Sequence, residues 1–166
     1  SGLVDDLKES IREDAKRNEL FLALMAKNAM NFQPPLGFFR QFVLEKSGEH
    51  KNTLDIKKHG IMPIVEIARI RALAAGEMRI TTRNRLRAAA KAGEITEPDA
   101  ASLIDALDFI EKLRVEHQNR QLHAGKRPDN HLSPDELSSL VRHNLKSAFN
   151  QVSVSQAALL NRFHLA

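Results

Sequence analysis

The 166-residue sequence contains no cysteine, no tryptophan and no tyrosine. Without cysteine there are no disulfides and no thiolate zinc site, and a reducing, cytoplasmic compartment fits. All eight aromatics are Phe. That disfavours lectins that stack sugars and proteins that stack single-stranded bases. No apolar run reaches the roughly 20 residues of a membrane span, so no membrane partner is expected. No N-terminal stretch has the charged, apolar and cleavage regions of a secretory leader. No P-loop, GxGxxG, HExxH or GxSxG pattern occurs, which removes the best-known signatures of phosphate, dinucleotide, zinc-protease and serine-hydrolase chemistry.

What is present is a globular balance, with 42% hydrophobic and 28% charged residues. The length suits one domain, at roughly 100–200 residues each. The net charge of +4 is uneven. Residues 57–96 hold nine Lys/Arg against three Asp/Glu, a net of +6, and the other 126 residues sum to −2. A concentrated basic segment points to an anionic partner, unless its charges only form a solvated face.

The seven glycines and six prolines mostly fall where helices should begin or end. Thr96-Glu97-Pro98-Asp99 offers an N-cap threonine, an early proline and an acidic N3 residue. Ser133-Pro134-Asp135-Glu136 repeats the device as a capping box. Gly76, Gly93 and Gly125 each follow a helical pattern, as a residue just past a helix end does. These signals predict an all-α antiparallel bundle of about five main helices. The helices are expected over 3–30, from Pro63 to before Gly76, from Thr81 or Thr82 to before Gly93, over 96–124 and over 133–163. An irregular segment is expected near 32–56, with Phe38–Val43 open to either helix or strand. In the first helix Leu3, Leu7 and Ile11 line one face, widened by Leu20, Phe21, Leu24 and Met25. In the last, Val141, Leu145, Ala148, Val152, Leu159 and Phe163 form an apolar stripe at 3–4 spacing.

Three clusters bear chemistry. Lys57 and Lys58 are expected to precede a helix whose free N–H groups also favour anions, and Glu66 and Arg69 share a face of that helix. Thr81-Thr82-Arg83-Asn84-Arg85-Leu86-Arg87 places three arginines at a helix start, against the helix dipole. That conflict calls for a bound anion or an acidic neighbour. Arg114, His117, Gln118 and Gln121 recur at 3- and 4-residue steps as a polar stripe. The stripe reads either as polar core groups satisfied internally or as the lining of a groove. The histidines form no i, i+4 pair and no familiar metal spacing, so no metal site is expected.

The same residues carry a family resemblance. Leu54-Asp55-Ile56-Lys57, Pro63-Ile64, Ala68-Arg69, Thr82 with Arg85-Leu86, Leu113-Arg114 with His117-Gln118, and Asn130 before Leu145-Lys146 fall in an order and spacing similar to the "putative nucleotidyltransferase substrate-binding domain". The Pro34-Pro35-Leu36-Gly37-Phe38-Phe39 turn resembles that family as well, and the match spans roughly residues 20–165. The resemblance implies the C-terminal helical domain of a longer bacterial signal-transduction protein. Such proteins carry a CBS-pair or cyclic-nucleotide-binding region and a nucleotidyltransferase domain of the PII-uridylyltransferase type. It implies that residues 1–166 are one helical domain without the catalytic domain and without catalysis of its own. Mg and a nucleoside triphosphate would belong to the missing domain. The residues agree, since no Gly-Ser pair and no Asp-x-Asp is available to hold two metal ions.

On that basis Lys57, Lys58, Arg69, Thr82, Arg83, Arg85 and Arg114 are the candidates to meet a nucleotide phosphate or an acidic protein surface. His117 and Gln118 would supply hydrogen bonds. The expected partners are the chain's own nucleotidyltransferase domain and a nucleotide or PII-like protein. A homodimer is admitted, and nucleic acid is disfavoured by the modest total charge. The alternative is a non-catalytic interaction or dimerisation module whose basic segment is ordinary surface.

Overall fold

The computed structural model describes residues 2–165, except the side chain of Arg12. Among them are five α-helices: α1 (Gly2–Ala29), α2 (Met62–Ala74), α3 (Thr82–Lys91), α4 (Glu97–His123) and α5 (Ser139–Arg162). The only sheet among the described residues is a two-residue antiparallel ribbon of β1 (Leu54–Asp55) and β2 (His131–Leu132). Its register pairs Leu54 with Leu132 and Asp55 with His131. The chain is all-α, as expected.

The helix α2 is the core element. Ile64, Ile67, Ala68 and Ile70 are all buried, on more than one side of the helix. A helix apolar all round must be surrounded, and α2 packs against α1, α3 and α5. α4 and α5 close the bundle through Leu103, Leu107, Ile110, Leu145, Phe149, Val152 and Leu159.

α2 does not start at Pro63. The helical chain begins six residues earlier with a π-type turn, Lys57–Ile61, in which the Met62 N–H donates to the Lys57 carbonyl. The longer turn runs directly into Pro63, whose ring leaves no N–H to satisfy. Gly60 lies buried at its centre. A Cβ there would come 3.1 Å from Ile110 Cγ2 and 3.3 Å from Phe149 Cε1, so glycine lets the turn press onto α4 and α5.

α5 also starts later than expected. Ser133 makes no side-chain cap; Pro134–Glu136 form one 3-10 turn, and Leu137 returns to extended backbone with ψ 145°. Leu137 is buried, and drawing it into the core interrupts the helix. Ser138 caps instead, its hydroxyl accepting from the Val141 N–H at 3.3 Å. The Thr96 cap forms as expected, accepting from Asp99 N–H at 3.2 Å. Thr81, not Thr82, caps α3 and accepts from Asn84 N–H.

Phe38–Val43 is neither helix nor strand. It is a tight turn closed by the Gly37 N–H to Gln41 carbonyl bond at 2.8 Å and an isolated Leu36–Phe42 bridge, with Arg40 in the left-handed region. Along α1, burial begins only at Leu22, with Ala26 and Ala29. Leu3, Leu7 and Ile11 share a face as expected, but they are 86%, 60% and 59% exposed.

Candidate functional site

The basic segment does not form one patch. Arg83 meets its acidic neighbours on α4: it donates to Asp108 and, at 2.6 Å, to Glu111. These bonds raise its pKa, with Glu111 the larger cause. Of the arginines at the start of α3, Arg83 thus finds an internal acidic answer, while Arg87 reaches the Asn84 side-chain oxygen at 3.4 Å. Arg69 pairs with Glu66 at 2.8 Å, and Arg85 Nε donates to the Arg79 carbonyl at 2.9 Å. Thr82 opens α3 beside the Thr81 cap. Lys57 and Lys58 are exposed. They do not precede the helix; they stand in its first turn, and the Lys58 N–H is already taken by Asp55 Oδ1 at 2.9 Å. The expected free N–H group there is occupied because the helix starts early enough for Asp55 to cap it.

The stripe on α4 does converge. Arg114 Nε donates to Asn130 Oδ1 at 2.7 Å, and Gln118 Nε2 donates to the Asp129 carbonyl at 3.2 Å. Gln121 Oε1 accepts from Asp129 N–H at 2.9 Å. His117 is buried, with Nε2 3.1 Å from Asp129 Oδ1. An ionised carboxylate only accepts, so that nitrogen is the protonated one. Its Nδ1 lies 3.8 Å from Glu136 Oε2, in the turn where a capping box was expected. Burial works to raise the Asp129 pKa, but hydrogen bonds from His117 and the His131 N–H, with Gln121 adding, hold it below the ordinary carboxylate value. The stripe therefore clamps the loop over 126–131 onto the C-terminal end of α4.

Beside this clamp lies a cleft of about 500 Å³, lined by His117, Arg120, Gln121, Ala124, Lys126, His131 and Glu136. Arg120 and Lys126 are exposed and form no ion pair among the described residues. His131 stacks on His50 at 3.4 Å with rings 6° from parallel, which fixes the inner wall. Two full cations against one carboxylate make the cleft basic. Arg120 and Lys126 were not singled out from sequence. Their signal was position: bases in and after the last turn of a long helix, where the dipole is negative.

A second cleft, also about 500 Å³, opens at the other end of α4, between Arg71, Ala90, Gly93, Glu94, Ile95, Thr96, Glu97, Asp99, Val154, Ser155 and Ala158. Arg71 is buried and donates through Nη1 to the Glu94 carbonyl at 2.7 Å. Its Nε is buried without a partner among the described residues. Burial lowers the Arg71 pKa and Arg162 adds to that, while Glu94 and Asp99 oppose it. Sequence reading missed Arg71, although an arginine in so apolar a helix is a detectable signal. Among the described residues no group of three or more His, Asp or Glu could hold a metal ion, and no helix is long and apolar enough to cross a membrane.

The profile of one protein family matches residues 19–163, which include α2 to α5 and both clefts. No curated protein and no solved structure matches the chain. With nearly its whole length matched, the chain belongs to the family described as "Putative nucleotidyltransferase substrate binding domain".

Proposed function

We propose that this domain holds the substrate of a nucleotidyl transfer, a nucleotide or an acidic protein surface, against a neighbouring catalytic domain of the same bacterial signalling protein, in the cytoplasm. The observation that carries the proposal is the basic cleft at the C-terminal end of α4. It pairs uncommitted cations, Arg120 and Lys126, with a wall held rigid by the His117–Asp129 clamp. Its volume is that of small-ligand sites. Arg114 and Gln118 act as positioning residues through Asn130, while Lys57 and Lys58 add uncommitted charge on the π turn. The catalytic domain would bring the carboxylates, the Mg and the nucleoside triphosphate. The bundle would supply orientation, which is worth most when its groups are fixed beforehand. Isothermal titration with ATP and UTP at low salt tests this. Binding that weakens at least tenfold in Arg120→Ala with Lys126→Ala supports it; no binding, alone or with the catalytic domain restored, ends it.

A second reading has its own observation. The first turns of α1 expose Leu3, Leu7 and Ile11 along one face, and Leu20, Phe21 and Leu24 are exposed further along the helix. An exposed apolar face on the N-terminal part of α1, before burial begins at Leu22, favours an interaction or dimerisation module. Sedimentation equilibrium over a range of concentrations separates the readings: a monomer throughout removes the homodimer.

A further inference from the structure

We propose that the cleft at the N-terminal end of α4 binds a small zwitterion: a carboxylate that also carries an ammonium or guanidinium group, the chemistry of a free amino acid. The floor of the cleft supplies the first requirement. Arg71 is 7% exposed, and its Nε N–H has no acceptor among the described residues. A buried donor without an acceptor is costly. Nε itself is closed to solvent, so a ligand carboxylate at the floor of the cleft reaches it through a shift of the guanidinium toward the cleft that Arg71 lines. The nearest carboxylate does not supply one. Glu94 gives Arg71 its backbone carbonyl and turns its side chain to Arg162, at 3.2 Å to Nε. Arg162 is held from its other side by Glu19 at 3.3 Å. Arg71 is thus a cation whose geometry suits a planar carboxylate, with the local carboxylate already engaged.

The mouth supplies the second requirement. Glu97 and Asp99 line it and both are exposed. Asp99 accepts the Thr96 hydroxyl at 2.7 Å through Oδ2, and neither residue pairs with a cation among the described residues. They favour a positive group at the lip of the cleft and repel a polyphosphate. Between floor and mouth, Ala90, Ile95, Val154 and Ala158 give apolar walls, and Gly93 contributes no side chain. An acceptor held deep, a cation held outside and an apolar stem between them describe an amino-acid-like zwitterion. This site is separate from the basic cleft and does not depend on what binds there.

The test is a thermal-shift and calorimetric screen of the intact chain with each common L-amino acid at millimolar concentration. Acetate, methylammonium and ATP serve as single-feature controls. At least one amino acid should bind while acetate and methylammonium do not. Glu97→Gln and Asp99→Asn, both on the surface, should each weaken that binding about tenfold, and Arg71→Lys should remove it. Arg120→Ala, at the far end of α4, should leave it unchanged. The proposal is overturned if no amino acid binds, or if binding survives undiminished in the Glu97→Gln, Asp99→Asn double variant.

Discussion

The two ends of α4 carry clefts of similar size and opposite character. At the N-terminal end a buried arginine lies beneath carboxylates, Glu97 and Asp99. At the C-terminal end a buried histidine lies beside cations, Arg120 and Lys126. The acids sit where the helix dipole is positive and the bases where it is negative, so each lip is stabilised by the helix that bears it. The difference shows that local net charge is a poor guide to which cations are left without an internal partner. The +6 segment over 57–96 spends Arg69, Arg83 and Arg85 on internal partners. Lys57 and Lys58 stay uncommitted on the π turn, while Arg120 and Lys126 stand outside that segment, on α4 and the loop after it.

The comparison is broken most forcefully by reversing one end. Arg120→Glu with Lys126→Glu is expected to reduce ATP affinity more than about 100-fold, equivalent to ~2.7 kcal/mol. Glu97→Gln with Asp99→Asn should leave ATP affinity unchanged or raise it. Calorimetry on both double variants checks the pair together.

Removing the clamp gives the next effect. His117→Leu removes the imidazole N–H that Asp129 accepts and should destabilise the fold by about 1–3 kcal/mol in urea denaturation. Amide exchange at Asp129 and His131 should quicken in step. The pH dependence has a defined sign. Because Asp129 titrates below its ordinary value, its contribution is complete above the free-Asp pKa of about 3.9. It is lost as pH falls through the lower folded value. Wild type should therefore lose more stability below pH ~4 than Asp129→Asn does.

The smallest effects belong to the basic segment. Arg83→Ala removes a solvent-facing tie between α3 and α4 and should cost no more than ~1 kcal/mol in thermal melts. Arg69→Ala and Arg85→Ala should change ATP affinity less than about twofold, since neither guanidinium faces the basic cleft. A large loss in either variant would return the site to the 57–96 segment.

Much of the fold was legible because its signals are local. Thr96 with Pro98, and Gly93 at φ +80°, mark helix ends through their own backbone needs. Two starts were misread because tertiary packing overrode a good local signal. Pro63 looks like a first-turn proline, but Gly60 permits a π turn against Ile110 and Phe149 that begins the helix earlier. Ser133 and Glu136 have capping-box spacing, but burial of Leu137 moves the cap to Ser138. The α4 stripe was legible as a polar face. What it faces was not, because Asp129 and Asn130 reach it through a loop that leads into the β1–β2 pairing, a contact between segments far apart in sequence.

The central claim is the location of the nucleotide. Backbone amide chemical-shift mapping of the labelled chain during titration with ATP at low salt tests it most directly. The account predicts perturbations confined to His117–Glu136 and the adjoining His50, with Thr81–Lys91 and Arg71 quiet. Shifts centred on Thr82–Arg87, or no shifts at saturating ATP with the catalytic domain present, would contradict it.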